Sequence, residues 1–237
     1  MQIKWFEELD STNDELLRHL SLYDNLSVVA ARSQTAGRGQ RGNSWHSAPG
    51  ENLTFSLLLR PGELPAWEFM SLTYLATLAV KDWICGEGVN AVIKWPNDIY
   101  VGRRKICGML VENTLEGSRI AASVIGIGLN LNQTVFPGQL VNPVSLKSLT
   151  GREYPPEAAL EALLDHFDFP ALESPAGRAR LWETYQEGLF QQGLLCKYRD
   201  LLSGEEFTGM IKGVTREGRL LMADGKTFSF KEIGYII

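Results

Sequence analysis

Histidine and cysteine are scarce in this chain, three of each among 237 residues: His19, His46, His166, Cys85, Cys107 and Cys196. Their spacing makes no zinc-ligand pattern. An odd, dispersed set of cysteines reads as reduced thiols, not as a disulfide framework. Long apolar runs are also missing, so no membrane-spanning helix is expected. The opening MQIKWFEELD lacks a basic segment followed by an apolar one and does not resemble a secretory signal. These absences point to the cytoplasm. Excess positive charge is lacking too: a net charge of −5 argues against a broad nucleic-acid-binding surface, though not against local positive pockets. No Gly-x-Ser-x-Gly elbow, phosphate-loop GK[ST] or dinucleotide fingerprint occurs.

What is present is an ordinary globular balance, 44% apolar and 22% charged. The length suffices for one substantial core and a small second unit. Ser11 or Thr12 caps a helix over residues 13–20, and residues 26–31 form a buried strand. Residues 52–59 return to β patterning, 67–85 are helical with Leu72, Leu75, Ala79 and Trp83 on one face, and 89–94 form a strand. The Trp95–Asp98 turn follows, then strands at 99–101, 106–112 and 119–129, and helices at 155–167 and 177–190. Beyond residue 191 the pattern changes to short strands (197–201, 206–214, 219–223, 226–230) separated by Ser-Gly, Glu-Gly and Asp-Gly turns. The expectation is an α/β (α+β) catalytic domain with a mixed sheet over residues 1–190, and a small β-barrel over residues 191–237. Sheet order is not set by these patterns.

Four segments carry chemistry. In Gly37-Arg38-Gly39-Gln40-Arg41-Gly42-Asn43-Ser44-Trp45, the glycines let backbone N–H groups approach an anion. Arg38 and Arg41 pair with carboxylate or phosphate, and Trp45 offers a face to a nucleobase. A solvated turn before a core tryptophan explains the segment equally well. In Lys94-Trp95-Pro96-Asn97-Asp98, Lys94 suits a phosphate and Asp98 a magnesium ion bridging phosphate oxygens; a surface lysine and a turn-capping aspartate are the plain alternative. In Arg103-Arg104-Lys105, Arg103 fits a solvated hairpin tip, while Lys105 adjoins the strand and suits a fixed position. In Gly126-Ile127-Gly128-Leu129-Asn130, glycines inside a strand mark a bulge or a close approach, by ligand or by a packing neighbour.

Taken in order, Ser11-Thr12-Asn13, Gln34, Gly37–Trp45, Lys94–Tyr100, Arg104–Gly108 and Gly126–Asn130 resemble the biotin–protein ligases. The resemblance covers residues 1 to about 190, and the terminal strands resemble that family's small SH3-like β-barrel. It implies a mixed-sheet domain related to class II aminoacyl-tRNA synthetases and lipoate ligases. It implies ATP-dependent formation of biotinyl-5'-AMP, with magnesium, then transfer of biotin to a lysine of a biotin carboxyl carrier protein or domain. By position, Ser11, Thr12 and Gln34 resemble biotin-contacting residues, with Gly37, Gly39, Gln40 and Arg41 in the same ligand loop. Arg38 resembles the arginine serving biotin and phosphate, and Trp45 the adenine-packing aromatic. Lys94 is expected near phosphate, and Asp98 near the ligand charges and magnesium. Lys105 is expected at the reacting carboxylate, Gly108 in the biotin-pocket wall and Asn130 on the adenosine side.

Gln40 and Asn43 stand where many relatives carry arginine, which removes positive charge from the loop. With the Ser-Thr-Asn motif beginning at residue 11, no room precedes it for the DNA-binding domain of some relatives. A monofunctional ligase is therefore expected, without nucleic-acid or membrane partners; a homodimer is possible in the family. Two other readings stay open: a lipoate- or octanoate-handling enzyme on the related fold, and a non-catalytic biotin- or nucleotide-binding protein.

Overall fold

Two-residue alternation along the central strands decides which face of the main sheet is apolar, and with it where the helices pack. The computed structural model describes residues 1–237, apart from the side chain of Arg41. The strands of this sheet are β1 (Gln2–Leu9), β2 (Ser27–Gln34), β3 (Leu53–Leu59), β4 (Ala91–Lys94), β5 (Asp98–Val101), β6 (Arg104–Glu116) and β7 (Arg119–Leu129). Their order is β1-β2-β3-β7-β6-β5-β4. β1 and β2 run parallel, and every other pairing is antiparallel. The sheet is mixed, as expected. Helix α1 (Thr12–Arg18) makes the crossover that the parallel pair requires.

On one face, Phe55, Leu57, Ile125, Ile127, Cys107, Met109 and Ile93 join a large buried cluster with α2 (Met70–Gly86), α4 (Pro156–Leu164) and α5 (Pro175–Glu187). A shorter helix, α3 (Leu146–Thr150), follows β7. The alternate residues Val29, Leu58, Ala122 and Val124 face the other way and form a second, smaller cluster with Leu16 of α1, bordered by Phe6, Leu9, Leu17, Leu20 and Tyr23. α1 covers one part of that face and leaves the rest open. The strand β1 carries no legible period because it has no fully buried residue and its half-buried and exposed positions do not alternate throughout, with Lys4, Glu7 and Glu8 exposed as on a guarded edge strand. α2 begins at Met70; Trp67 lies in a 3-10 turn and is exposed.

The C-terminal strands are β8 (Leu195–Asp200), β9 (Glu206–Val214), β10 (Leu220–Met222), β11 (Thr227–Phe228) and β12 (Ile233–Tyr235). The expected barrel does not form. The strands make an open five-stranded sheet, β11-β10-β9-β8-β12, with β11 and β12 at opposite edges. Three of them are two or three residues long, too short to carry a closing ladder. Closure is not needed to bury the apolar face, because Tyr198, Ile211, Val214, Leu220, Met222, Phe228 and Ile233 join the same cluster as the main sheet's core. Polar ties cross the junction: Trp95 Nε1 donates to Gly218 O, and Trp182 Nε1 to Val214 O, each at 3.0 Å.

α5 also fixes the Trp95–Asp98 turn, since the fully buried Tyr185 donates its hydroxyl to Pro96 O at 2.8 Å. Tyr185→Phe leaves that carbonyl without this partner and is expected to lower the unfolding free energy by about 1 kcal/mol. Urea denaturation checks this; an unchanged midpoint would show that the bond contributes nothing.

Candidate active site

Across the antiparallel strands, Thr54, Gly128, Gly108, Asp98 and Lys94 are successive partners in one row. Directly opposed residues point to one face, so this row presents two side chains lacking entirely between Thr54 and Asp98. The next row along is Ser56, Gly126 and Leu110, and the one after it brings Glu112 opposite Val124. This is the open face beside α1. The glycines make it a floor on which neighbouring groups lie flat. A Cβ on Gly128 would stand 2.2 Å from Trp45 Cε2, and one on Gly126 would stand 2.1 Å from Asn13 Oδ1. Gly108 carries Lys105 and Trp45 in the same way.

Around this floor a cleft is lined by Ser11, Thr12, Gln34, Arg38, Gly39, Gln40, Trp45, Lys94, Asp98, Lys105 and Gly108. Most of the sequence-derived candidates thus converge from elements far apart in the chain. Gly37 lies behind the lining, where its carbonyl accepts from Trp45 N–H at 2.8 Å. Asn130 sits buried at the end of β7 with its Nδ2 donating to Val144 O at 3.0 Å, away from the lining. The Arg41 side chain lies outside the described residues. The loop's amides do not all face a ligand: Gly39, Asn43 and Trp45 N–H groups bond to Asn43 O, Gln40 O and Gly37 O. Its side chains, not these amides, reach the cleft.

At one end the buried polar side chains are ordered by one another. The Gln34 carboxamide oxygen accepts from Thr12 N–H at 2.8 Å and from its hydroxyl at 3.2 Å. The Ser56 hydroxyl donates to Thr12 Oγ1 at 2.7 Å. Ser11 caps α1, taking Asp14 N–H on its hydroxyl. At the other end stand the charges. Lys105 Nζ lies 2.7 Å from Asp98 Oδ1 and 5.7 Å from the Trp45 ring centre. Lys94 has no ion-pair partner among the described residues; its Nζ lies 4.6 Å from the ring centre of Tyr235 and 5.3 Å from that of Tyr100. Burial, only partly opposed by Asp98 and reinforced by Lys105, lowers its pKa from the ordinary 10.5. Two cations and one carboxylate leave this end positive, as an anion site requires.

Asp98 is the one carboxylate among the described lining residues, and no group of three or more His, Cys, Asp or Glu among the described residues forms a metal cage. A magnesium ion would fit only as one carried in by nucleotide phosphates, with Asp98 as a single protein oxygen donor.

Residues 5–130 match the model of the biotin/lipoate A/B protein ligase family, more than half of the chain. The chain belongs to that family. It is 33% identical to the bifunctional ligase/repressor BirA of Bacillus spizizenii, over 83% of this chain and 61% of that protein. It thus spans less than two thirds of that relative's length. It is 38% identical to the biotin--[acetyl-CoA-carboxylase] ligase of Paracoccus denitrificans, over 67% of this chain and 68% of that one. Among solved structures, the biotin protein ligase from Aquifex aeolicus in complex with biotin and ATP superposes with a TM-score of 0.75 at 24% identity, covering 98% of this chain and 97% of that one. That likeness concerns the fold.

Sequence reading missed Ser56, Glu112, Asn97 and Phe230. Asn97 is buried in the cleft wall and bonds Met109 O, and Phe230 reaches the lining from the C-terminal sheet. A polar Thr54-Phe55-Ser56 alternation inside an apolar strand was the available signal for Ser56.

Lys94 tests whether the cleft is built for charge at the expense of stability. Because its folded pKa lies below 10.5, the unfolded chain holds the proton more tightly, and stability rises with pH between the two values. Lys94→Met is expected to stabilise the protein at pH 7 by on the order of 1 kcal/mol, a gain that shrinks as pH climbs through the folded value. Urea titrations at several pH values check both signs; destabilisation at pH 7 would show the ammonium to be favourably held.

Proposed function

We propose that this protein is an ATP-dependent biotin–protein ligase that forms biotinyl-5'-AMP and transfers biotin to a lysine of a carrier protein. The observation that carries the reading is the joining, over one glycine floor, of a neutral hydrogen-bonding end to a cationic end flanked by the Trp45 indole. The family includes both biotin and lipoate ligases; the Bacillus relative is a bifunctional ligase/repressor, and the Paracoccus relative is a biotin--[acetyl-CoA-carboxylase] ligase. An aliphatic chain has no use for the Ser11–Thr12–Gln34 end, whereas a ureido ring supplies both donors and acceptors to it.

In this reading the ureido head lies against Thr12 and Gln34, and the carboxylate points to Lys105. Trp45 packs the adenine, and its Nε1–H, buried and without a partner among the described residues, meets an acceptor of the ligand. Arg38 and Lys94 hold the phosphate. A carboxylate oxygen of biotin attacks the α-phosphorus of ATP, the bond to the bridging oxygen breaks, and pyrophosphate leaves. Lys105, held in place by Asp98, neutralises charge at the reacting oxygens. A magnesium ion bound to the ATP phosphates would have Asp98 as its one protein oxygen donor in the cleft and would supply screening of the phosphate charge. The amine of the carrier lysine then attacks the acyl carbon, AMP departs with the bonding pair, and the amine proton is lost to water. Asn130 and Gly37 act behind the lining, Asn130 by holding the Val144 segment next to Lys105.

We assign catalysis to residues 1–190 and place residues 191–237 as the unit that closes the cleft through Phe230. No described helix is long and apolar enough to cross a membrane; the site of action proposed is the cytoplasm. A homodimer is also proposed.

Incubation with biotin, ATP, magnesium and an apo biotin carboxyl carrier domain is expected to add one biotin to the carrier by intact mass. Omitting ATP, or replacing biotin with lipoate, abolishes the product. Lys105→Ala is expected to slow adenylate formation by roughly a hundredfold while the protein stays folded. Lipoylation of a carrier in place of biotinylation, or ligand binding without AMP release, would instead support the two other readings.

A further inference from the structure

Arg38 lines the cleft, but the carboxylates that hold it do not. Its Nη2 pairs with Glu112 on β6 and lies 3.0 Å from Asp14 in the first turn of α1. Both contacts engage the same nitrogen, Nη2, so the Nε and Nη1 N–H groups take no part in these ion pairs. Glu112 is itself fixed: the Oε2 that takes Arg38 also accepts from Asn13 Nδ2 at 2.8 Å. Asn13 is 3% exposed, and its Oδ1 lies within hydrogen-bonding reach of the Ser56 hydroxyl. Ser56 is fully buried and donates to Thr12, which donates to Gln34. A contiguous chain of polar contacts therefore runs Gln34–Thr12–Ser56–Asn13–Glu112–Arg38, from the neutral end of the cleft to its arginine, with the single Ser56 hydroxyl hydrogen serving Thr12 or Asn13 at any one time. Gly126 makes the chain possible, because any side chain there would occupy the place of the Asn13 carboxamide.

A surface ion pair between long side chains is worth little. This one differs because one partner rises from a central strand and is locked by a buried amide. Its value is in direction more than in stability.

We infer that Glu112 is a positioning residue for Arg38, holding its guanidinium by Nη2 toward the anionic part of bound biotinyl-adenylate. The inference rests on the ligase reading above. In that reading Asn13 and Ser56 relay the position of the ureido-binding pair to the arginine.

The test is a double-mutant cycle read by calorimetric titration with a non-hydrolysable sulfamoyl analogue of biotinyl-adenylate. Glu112→Gln keeps the shape and the Asn13 bond while removing the charge that faces Arg38. It is expected to weaken the analogue roughly tenfold in the native background and less than about twofold in an Arg38→Ala background. If Glu112→Gln does not fold, Glu112→Asp keeps the charge one methylene further back and is expected to weaken binding by about threefold with the same non-additivity. Equal losses in both backgrounds, or none in either, overturn the inference while wild-type biotin transfer leaves the ligase reading standing. A wild-type protein that neither binds the analogue nor transfers biotin overturns both.

Discussion

Everything in the cleft depends on the near contact between other groups and bare strand backbone at Gly108, Gly126 and Gly128. Trp45 lies on one glycine and the Asn13 carboxamide on another, both closer than any Cβ would allow. Glycine inside a strand costs roughly 0.5–1 kcal/mol relative to alanine. Three of them in adjacent central strands are therefore a local loss of stability, tolerated because the opposite face of the same strands is largely apolar and packed under α2, α4 and α5. Sheet pleating allows this division: one face holds the fold together, and the other is left bare along the cleft.

The electrostatics follow the same division. Lys94 forms no ion pair among the described residues and lies against aromatic rings, with Asp98 acting on it only at longer range, whereas Lys105 pairs with Asp98 and Arg38 with Glu112 and Asp14. Each of the paired cations is held by a carboxylate on a strand or helix, so its direction is set before any ligand arrives. Preorganised charge of this kind stabilises a developing charge without the reorganisation that water would need. The C-terminal sheet takes part in the same design. It brings Phe230 and Tyr235 over the Lys94 end, and its own apolar face is buried in the common core.

Much of this was legible in the sequence, and the exceptions have physical causes. The strands from β2 to β7 and the long helix α2 announce themselves by period, because burial on one or both faces leaves a clear apolar pattern. β1 does not, since an edge strand with outward charges looks like a loop. Lys94, Asp98, Lys105 and Trp45 could be proposed from motifs, but Glu112 and Ser56 could not: each is a single polar residue whose part is defined only by cross-strand register. The barrel was wrongly expected because short strands and tight turns state only that a β unit exists. Whether its edges meet depends on what covers its apolar face, and here the main core covers it.

The central claim is that the bare floor, with Trp45 lying on it, seats the biotinyl-adenylate. Calorimetric titration of the sulfamoyl analogue into Gly128→Ala measures it most directly, since the added methyl must lift the indole from its place. The account predicts at least a roughly tenfold weaker dissociation constant in a protein that still unfolds cooperatively. Native affinity in that variant would contradict it and place the ligand elsewhere.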